Sequence, residues 1–412
     1  MFTVQKVKAR QILDSRGNPT VEVDLVLSSG AAGRASIPSG ASVGSREAIE
    51  LRDDNKSIYV GKGVLGAVKN VNTIIATRIL NKNFAVQKLF DAALIDLDGT
   101  ETKEILGANA ILAVSVAFAK AVANQMNINL FQLISQDRYS VRMPTPMLNL
   151  INGGAHADNP IDIQEFMIVP KADNISTSLK IAAAVFHNLK STLKKMGHTT
   201  NVGDEGGFAP NLQSTEQVLD ILSESILKSK LTLGKDIEIA LDIAATELFD
   251  GGFYHLKGEK AKLSSAEFAQ YHKKLIDAYQ ICSIEDPMAE NDLEGWKIVT
   301  DLIGNKVQLV GDDIFVTNRS ILEQGIKKGL ANALLVKMNQ VGTLTETLQA
   351  VDLAYQNGYE TIVSHRSGET EDTTIAHLAV GIGSKYIKAG SICRTERVCK
   401  YNELLRISEL LW

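Results

Sequence analysis

Six apolar runs in the later part of the chain give way to a charged or titratable side chain: IEIALD at Asp242, ICSIED at Glu285, VQLVGDD at Asp312, ALLVK at Lys337, ETIVSH at His365 and YIKAGS at Lys388. One such group alone is ordinarily a solvated strand end or a helix cap. Six in successive runs point to a shared site, because an ammonium or carboxylate is costly to bury without compensation. Asp242, Glu285 and Asp312 offer the oxygen donors that a hard divalent cation such as magnesium prefers. With no cysteine and one histidine in the set, zinc is disfavoured. Lys337 and Lys388 are expected to lie across from these carboxylates. Neighbouring positive charge can hold a lysine neutral, which suits it to act as a base.

Earlier segments extend the set. NGGAHADNPIDIQEFMIVP (152–170) carries His156 and, at the edge of an apolar strand, Gln164 and Glu165. TNVGDEGGFAPN (200–211) places Asp204 and Glu205 in a glycine-bracketed turn that admits close approach of a ligand. SHRSGET sets Arg366 and Ser367 just past a strand, where they could grip an anion. This chemistry amounts to a metal-assisted reaction on an anionic substrate, with a lysine base and a carboxylic acid. Proton abstraction next to a carboxylate fits it best, since that carbon acid is very weak and a divalent metal can stabilise the enediolate formed.

These side chains need a frame that turns successive strand ends toward one place. After strand IEIALD the chain alternates helices over 266–279, 293–303, 319–328, 344–356, 373–382 and 398–411 with the remaining five strands named above. Such β-then-α units imply a parallel sheet with both faces covered. About 270 residues of this texture fit a closed eightfold barrel, whose active residues lie at the carboxyl ends of its strands. RYSVRMPTP (138–146) reads as a hinge between a capping α+β unit over 1–133 and an α/β barrel over 138–412. In the first unit, strands at 6–13 and 20–27 begin a meander, and a loop rich in small residues, IPSGASVGSREAIELRD (37–53), is built for mobility. Helical periodicity then covers 64–80 and 109–124.

Two motifs here are decoys. Gly61-Lys62-Gly63-Val64-Leu65-Gly66 spells the dinucleotide fingerprint, yet no buried strand precedes it. Asp96-Leu97-Asp98-Gly99 resembles the start of a calcium loop, but Leu94 and Ile105 stand where that loop needs oxygen ligands. Both read as turns. The net charge of −5 and the lack of a basic stripe argue against nucleic acid as a partner. Cys282, Cys393 and Cys399 make neither a zinc spacing nor an even-numbered framework, which suits a reducing compartment. No run approaches the ~20 apolar residues of a membrane span. The expectation is a soluble cytoplasmic protein without a membrane partner.

Along nearly the whole chain, SRGNPTVEV, GANAILAVS, NGGAHAD, QEFMIVP, NVGDEGGFAPNL, SIEDP, VGDDIFVTN, LLVKMNQVGTLTET, SHRSGETED and IKAGS follow in order. With them the sequence resembles the enolase family. The resemblance implies an α+β cap followed by a (β/α)8-type barrel that starts ββαα. It implies the reversible dehydration of 2-phosphoglycerate to phosphoenolpyruvate, in glycolysis and gluconeogenesis. It also implies a pair of magnesium ions (Mg2+), the second arriving with substrate, and a homodimer or octamer in the cytoplasm with a secondary cell-surface or secreted pool. By the same resemblance Asp242, Glu285 and Asp312 hold the first magnesium, and Ser42 in the cap loop helps hold the second. Lys337 takes the C2 proton, and Glu205 assists departure of the C3 hydroxyl as general acid, with Glu165 close by. His156, His365, Arg366, Ser367 and Lys388 grip the phosphate and carboxylate, while Gln164 lines a pocket that Glu165, Glu285 and Asp312 also face. Departures are few: Val43 where the family usually has Thr, His377 for a usual Asp, and variation at Cys393 and Thr395. None falls on a residue given a chemical role. Sugar-acid dehydratases and racemases of the same superfamily usually lack the SHRSGET grip and the GASxG loop. A scaffold without turnover has no use for the full set of titratable strand ends.

Overall fold

The computed structural model describes residues 1–40, 44–136 and 138–411, so Ser42 and Val43 lie outside the described residues. Strands β1 (Phe2–Leu13), β2 (Pro19–Leu27) and β3 (Ala32–Ser36) form an antiparallel meander, with β4 (Asn83–Phe84) on the free edge of β1. The turn between β1 and β2 is closed by Asp14, whose Oδ1 accepts from the N–H groups of Arg16 and Asn18 at 2.8 Å each. Short helices α1 (Leu65–Asn70) and α2 (Ala76–Ile79) are joined through a π-helical stretch, Val71–Ile75. They are followed by α3 (Gln87–Asp98), α4 (Ala108–Met126) and α5 (Leu130–Ser135). Helix α4 is apolar nearly all round and accordingly buried, with Phe118 stacked on Phe90 at 3.9 Å between ring centroids.

Neither decoy is a ligand site. No strand precedes the glycine motif, and the carboxylate of Asp53 already accepts from the N–H groups of Leu65 and Gly66 at 2.8 and 2.7 Å. A phosphate would need those donors. Asp96 and Asp98 lie in the last turn of α3, not in a turn as expected, and Gly99 ends that helix at φ +75°.

The second part closes into a barrel. Its strands are β5 (Thr145–Asn152), β6 (Glu165–Pro170) and β7 (Ile237–Asp242), then, after a small sheet of β8 (Phe249–Asp250), β9 (Phe253–Leu256) and β10 (Ala261–Leu263), β11 (Ile281–Glu285), β12 (Gln308–Gly311), β13 (Ala333–Val336), β14 (Glu360–Ser364) and β15 (Tyr386–Lys388). The closed order is β11-β12-β13-β14-β15-β5-β6-β7. Helices α6 (Ile175–Lys195), α7 (Thr215–Lys228), α8 (Ser265–Ala278), α9 (Leu293–Ile303), α10 (Arg319–Lys328), α11 (Leu344–Gln356), α12 (Thr374–Gly381) and α13 (Thr395–Ser408) follow its strands. The start is ββαα, as the resemblance implies. The six β-then-α units from β7 onward pair in parallel as expected, whereas β6, in the ββαα start, runs antiparallel to both β5 and β7, because only a loop, with no crossover helix, joins it to β5.

Side-chain caps fix where the loops stop and the helices start. Asn174, Ser214, Ser264, Asp292, Asn318 and Thr343 each accept from a backbone N–H in the first turn of the following helix. Inside helix α8, His272 is fully buried with Nε2 2.9 Å from the Pro287 carbonyl. Burial lowers its pKa from 6.5 to about 4. Between those values the unfolded chain binds a proton that the native state does not, so stability rises with pH there and is lost as pH falls from 6.5 toward 4. This group alone gives a slope approaching about 1.4 kcal/mol per pH unit. Urea unfolding of His272→Gln should show a shallower acid loss than the parent.

Candidate active site

The period-two alternation of a strand decides which side chains enter the barrel mouth. Met147, Met167, Val169, Ala240, Val310, Ala333, Leu335 and Ile362 pack together as a separate cluster, the filling of the barrel interior. Lys337 continues the inward phase of Ala333 and Leu335, Asp242 that of Ala240, and Asp312 that of Val310. Lys388 follows Tyr386 in the same way, and Ile362 leads to Ser364 and Arg366. In β11 a register irregularity between Ile281 and Ser283 leaves Glu285 in phase with Ser283. Because β6 is reversed, its first residue, Glu165, pairs in register with Asp242 and reaches the same end as the other strands' last residues.

One cavity collects the expected residues. His156, Gln164, Glu165, Glu205, Asp242, Asp312, Lys337, His365, Arg366, Ser367 and Lys388 line it, and Glu285 contacts Lys388. Ser42 lies outside the described residues. A groove of about 660 Å³ opens alongside, sharing Gln164 and Ala244 with the cavity but none of its paired lysines and carboxylates.

On one side the ammonium of Lys388 lies 2.8 Å from Asp242 Oδ2, 2.8 Å from Glu285 Oε2 and 3.3 Å from Glu165 Oε2. Burial opposes the charged form, but these carboxylates outweigh it and hold Lys388 well above the ordinary lysine range. Burial and the charge of Asp242, with that of Asp312, push Glu285 well up. Asp242, Glu285 and Asp312 bring carboxylate oxygens together at the ends of three neighbouring strands, β7, β11 and β12, a donor set that fits a hard divalent cation. Two tighter groups of donor atoms fit less well. Asp286 is occupied by the N–H groups of Asp312 and Asp313 at 2.9 Å each, and His156, grouped with Glu165 and Glu205, is protonated at neutral pH.

Lys337 departs from expectation in this state. Burial and the neighbouring cations work to lower its pKa, yet its ion pair with Asp312 outweighs them and holds it above the ordinary value. Asp312 is also gripped by Gln340 Nε2 at 2.8 Å.

Across the barrel, His156 Nδ1 is 3.3 Å from Glu165 and 3.8 Å from Glu205. Burial disfavours its charge, but the carboxylates of Glu205 and Glu165 prevail and raise it to about 9. Burial and the charge of Glu205 lift Glu165 to about 7. Burial would lift Glu205 too, but the imidazoles of His365 and His156 override it and hold Glu205 well below its usual range. His365 Nε2 is 3.4 Å from Glu205 Oε1, and burial, reinforced by the Arg397 cation, drops His365 to about 4. Asn149 Nδ2 donates to Glu205 Oε2 at 3.1 Å.

The segment between β3 and α1 reaches Arg366. Arg366 donates from Nη1 to Glu47 Oε2 at 2.8 Å and from Nη2 to Oε1 at 3.2 Å, and both side chains are buried. The 36–40 stretch lies over the loop after β14, where Ser39 and Gly368 exchange backbone hydrogen bonds. Glu47 and Arg397 were not among the sequence candidates. Nothing local distinguishes Glu47 from Glu50; its partner is set by how the cap docks. Glu47→Leu leaves a buried guanidinium short of its carboxylate and should cost about 3 kcal/mol of stability in urea unfolding, with part recovered by adding Arg366→Leu.

An eightfold barrel that gathers carboxylates, lysines and Arg366 at the carboxyl ends of its strands has the architecture of a barrel enzyme. The family model described as "Enolase, N-terminal domain" matches residues 4–134, and that described as "Enolase, C-terminal TIM barrel domain" matches residues 140–412. The enolases of Legionella pneumophila strains Lens and Corby are each 56% identical over 408 residues, 99% of this chain and 96% of theirs. The chain belongs to the enolase family of lyases.

Proposed function

We propose that the chain catalyses the reversible, magnesium-dependent dehydration of 2-phosphoglycerate to phosphoenolpyruvate in glycolysis and gluconeogenesis. The observation that carries this reading is the placement of opposed proton-transfer groups. Lys337 follows β13 and Glu165 begins β6, strands four places apart in a ring of eight, so they face one another across the cavity. A substrate between them can lose a proton on one side and a hydroxyl on the other.

Lys337 Nζ takes the C2 proton, and the C–H electrons pass toward the substrate carboxylate. They return to form the C2–C3 double bond as the C3–O bond breaks, and the hydroxyl leaves as water with a proton from the Glu205 side. Glu205 and Glu165 both lie against His156, and of the two it is Glu165 that burial and the charge of Glu205 lift to about 7. Asp242, Glu285 and Asp312 are the residues that would hold magnesium, which when bound supplies positive charge to the substrate carboxylate. Lys337 must be released from Asp312 to act as a base. Arg366, Ser367, His365 and Lys388 hold the anionic groups, and Gln164 lines the wall. A second magnesium with Ser42, a cap over 1–133 above a barrel over 138–412, a homodimer or octamer, and a cytoplasmic site belong to the same reading. No helix among the described residues is long and apolar enough to cross a membrane.

Direct assay of 2-phosphoglycerate conversion tests the metal requirement. Activity should vanish in excess chelator and return with added magnesium; full activity in excess chelator would refute it.

A further inference from the structure

Helix α13 sends one side chain into the centre of this arrangement. Arg397 is fully buried, and its guanidinium gathers acceptors from two barrel loops and from the turn between β1 and β2. Nη1 lies 2.6 Å from His365 Nδ1 and donates to the Arg366 carbonyl at 2.7 Å. Nη2 donates to the Asp204 carbonyl at 3.0 Å, to the Ser367 carbonyl and, more weakly, to Ser15 Oγ at 3.4 Å. One loop carries Glu205 and the other carries His365, Arg366 and Ser367. Its only carboxylate neighbour within ion-pair distance among the described residues is Glu396, 3.5 Å from Nε. The backbone makes room for it: a Cβ at Gly390, where φ is +78°, would stand 2.9 Å from Arg397 Cδ and 2.7 Å from the Glu205 carbonyl.

A guanidinium has donors and no acceptor. His365 Nδ1 must therefore present its lone pair to Arg397, which leaves the ring proton on Nε2. That nitrogen is the one 3.4 Å from Glu205 Oε1. The tautomer of His365 is thus set from behind by a residue outside the cavity lining, and its donor is aimed at the Glu205 carboxylate.

We propose that Arg397 is a positioning residue for the acid half of the reaction: it holds His365 in the Nε2–H form and clamps the Glu205 loop to the anion-grip loop. The proposal rests on the function proposed above. A lysine there keeps the positive charge but cannot serve both loops from a rigid fork.

The test has two parts, both on the full-length protein with magnesium present. First, 15N-histidine labelling of the unaltered protein near pH 7, with the His365 signal assigned by its loss in His365→Gln, should show Nε2 protonated and Nδ1 bare. A His365 protonated on Nδ1 overturns the proposal without any variant at Arg397. Second, Arg397→Lys should leave His365 in mixed tautomers and slow dehydration by about 100-fold, while exchange of the C2 proton changes by no more than roughly threefold. Equal loss of exchange and dehydration, or dehydration at the parental rate, overturns it. Failure of the unaltered protein to exchange or convert 2-phosphoglycerate removes the underlying reaction, and the resting tautomer distinguishes that outcome from failure of the positioning role.

Discussion

Lys337→Ala should abolish exchange of the C2 proton of 2-phosphoglycerate with solvent, by on the order of 10⁴-fold. The expectation follows from phase: Ala333 and Leu335 face the barrel interior, so the next residue in that series enters the mouth. A hydrogen on an unactivated carbon next to a carboxylate is not lost to water at a useful rate, so a positioned base is indispensable. Because Lys337 is paired with Asp312, its removal also leaves a buried carboxylate without its cation. Thermal unfolding of the variant separates that stability cost from the loss of chemistry. Retained exchange in a folded Lys337→Ala protein would remove the base from the account.

Glu205→Gln should divide the reaction, slowing dehydration by about 10²–10³-fold while C2 proton exchange continues. Glutamine preserves the size of the side chain and can still meet Asn149 and His365, but it has no proton to give the leaving hydroxyl. The division depends on Lys337 standing across the ring from β6, whose Glu165 lies with Glu205 against His156. Parallel loss of both activities would contradict it. Glu165 is the member of the pair lifted to about 7, so Glu165→Gln should weaken dehydration as well, by removing a carboxyl that can hold a proton near neutral pH beside Glu205.

Much of this site was legible in the sequence because strand alternation is local. Asp242, Asp312, Lys337 and Lys388 sit at apolar run ends, and closure of the barrel brings together what those ends display. Glu165 obeyed a different rule: it begins a strand, and only the reversal of β6 places it beside Asp242. A run of apolar residues carries no sign of strand direction, so only the family resemblance, with its ββαα start, pointed to a reversed strand here. Strand β3 and helix α3 were missed for local reasons. AGRAS is built mostly of small residues with little β preference, and the Asp-rich end of α3 imitates a turn. Glu47 and Arg397 were not visible because their meaning lies in long-range docking, to Arg366 and His365 respectively. That Lys337 is held above the ordinary lysine value was also beyond sequence, since it depends on contact with Asp312 and on the charge of Glu285.

The most direct measurement follows 2-phosphoglycerate by NMR in deuterated buffer containing magnesium and the unaltered protein. The account predicts both appearance of phosphoenolpyruvate and entry of deuterium at C2 of the remaining substrate. A substrate that neither dehydrates nor exchanges, with the protein folded and magnesium present, would contradict it.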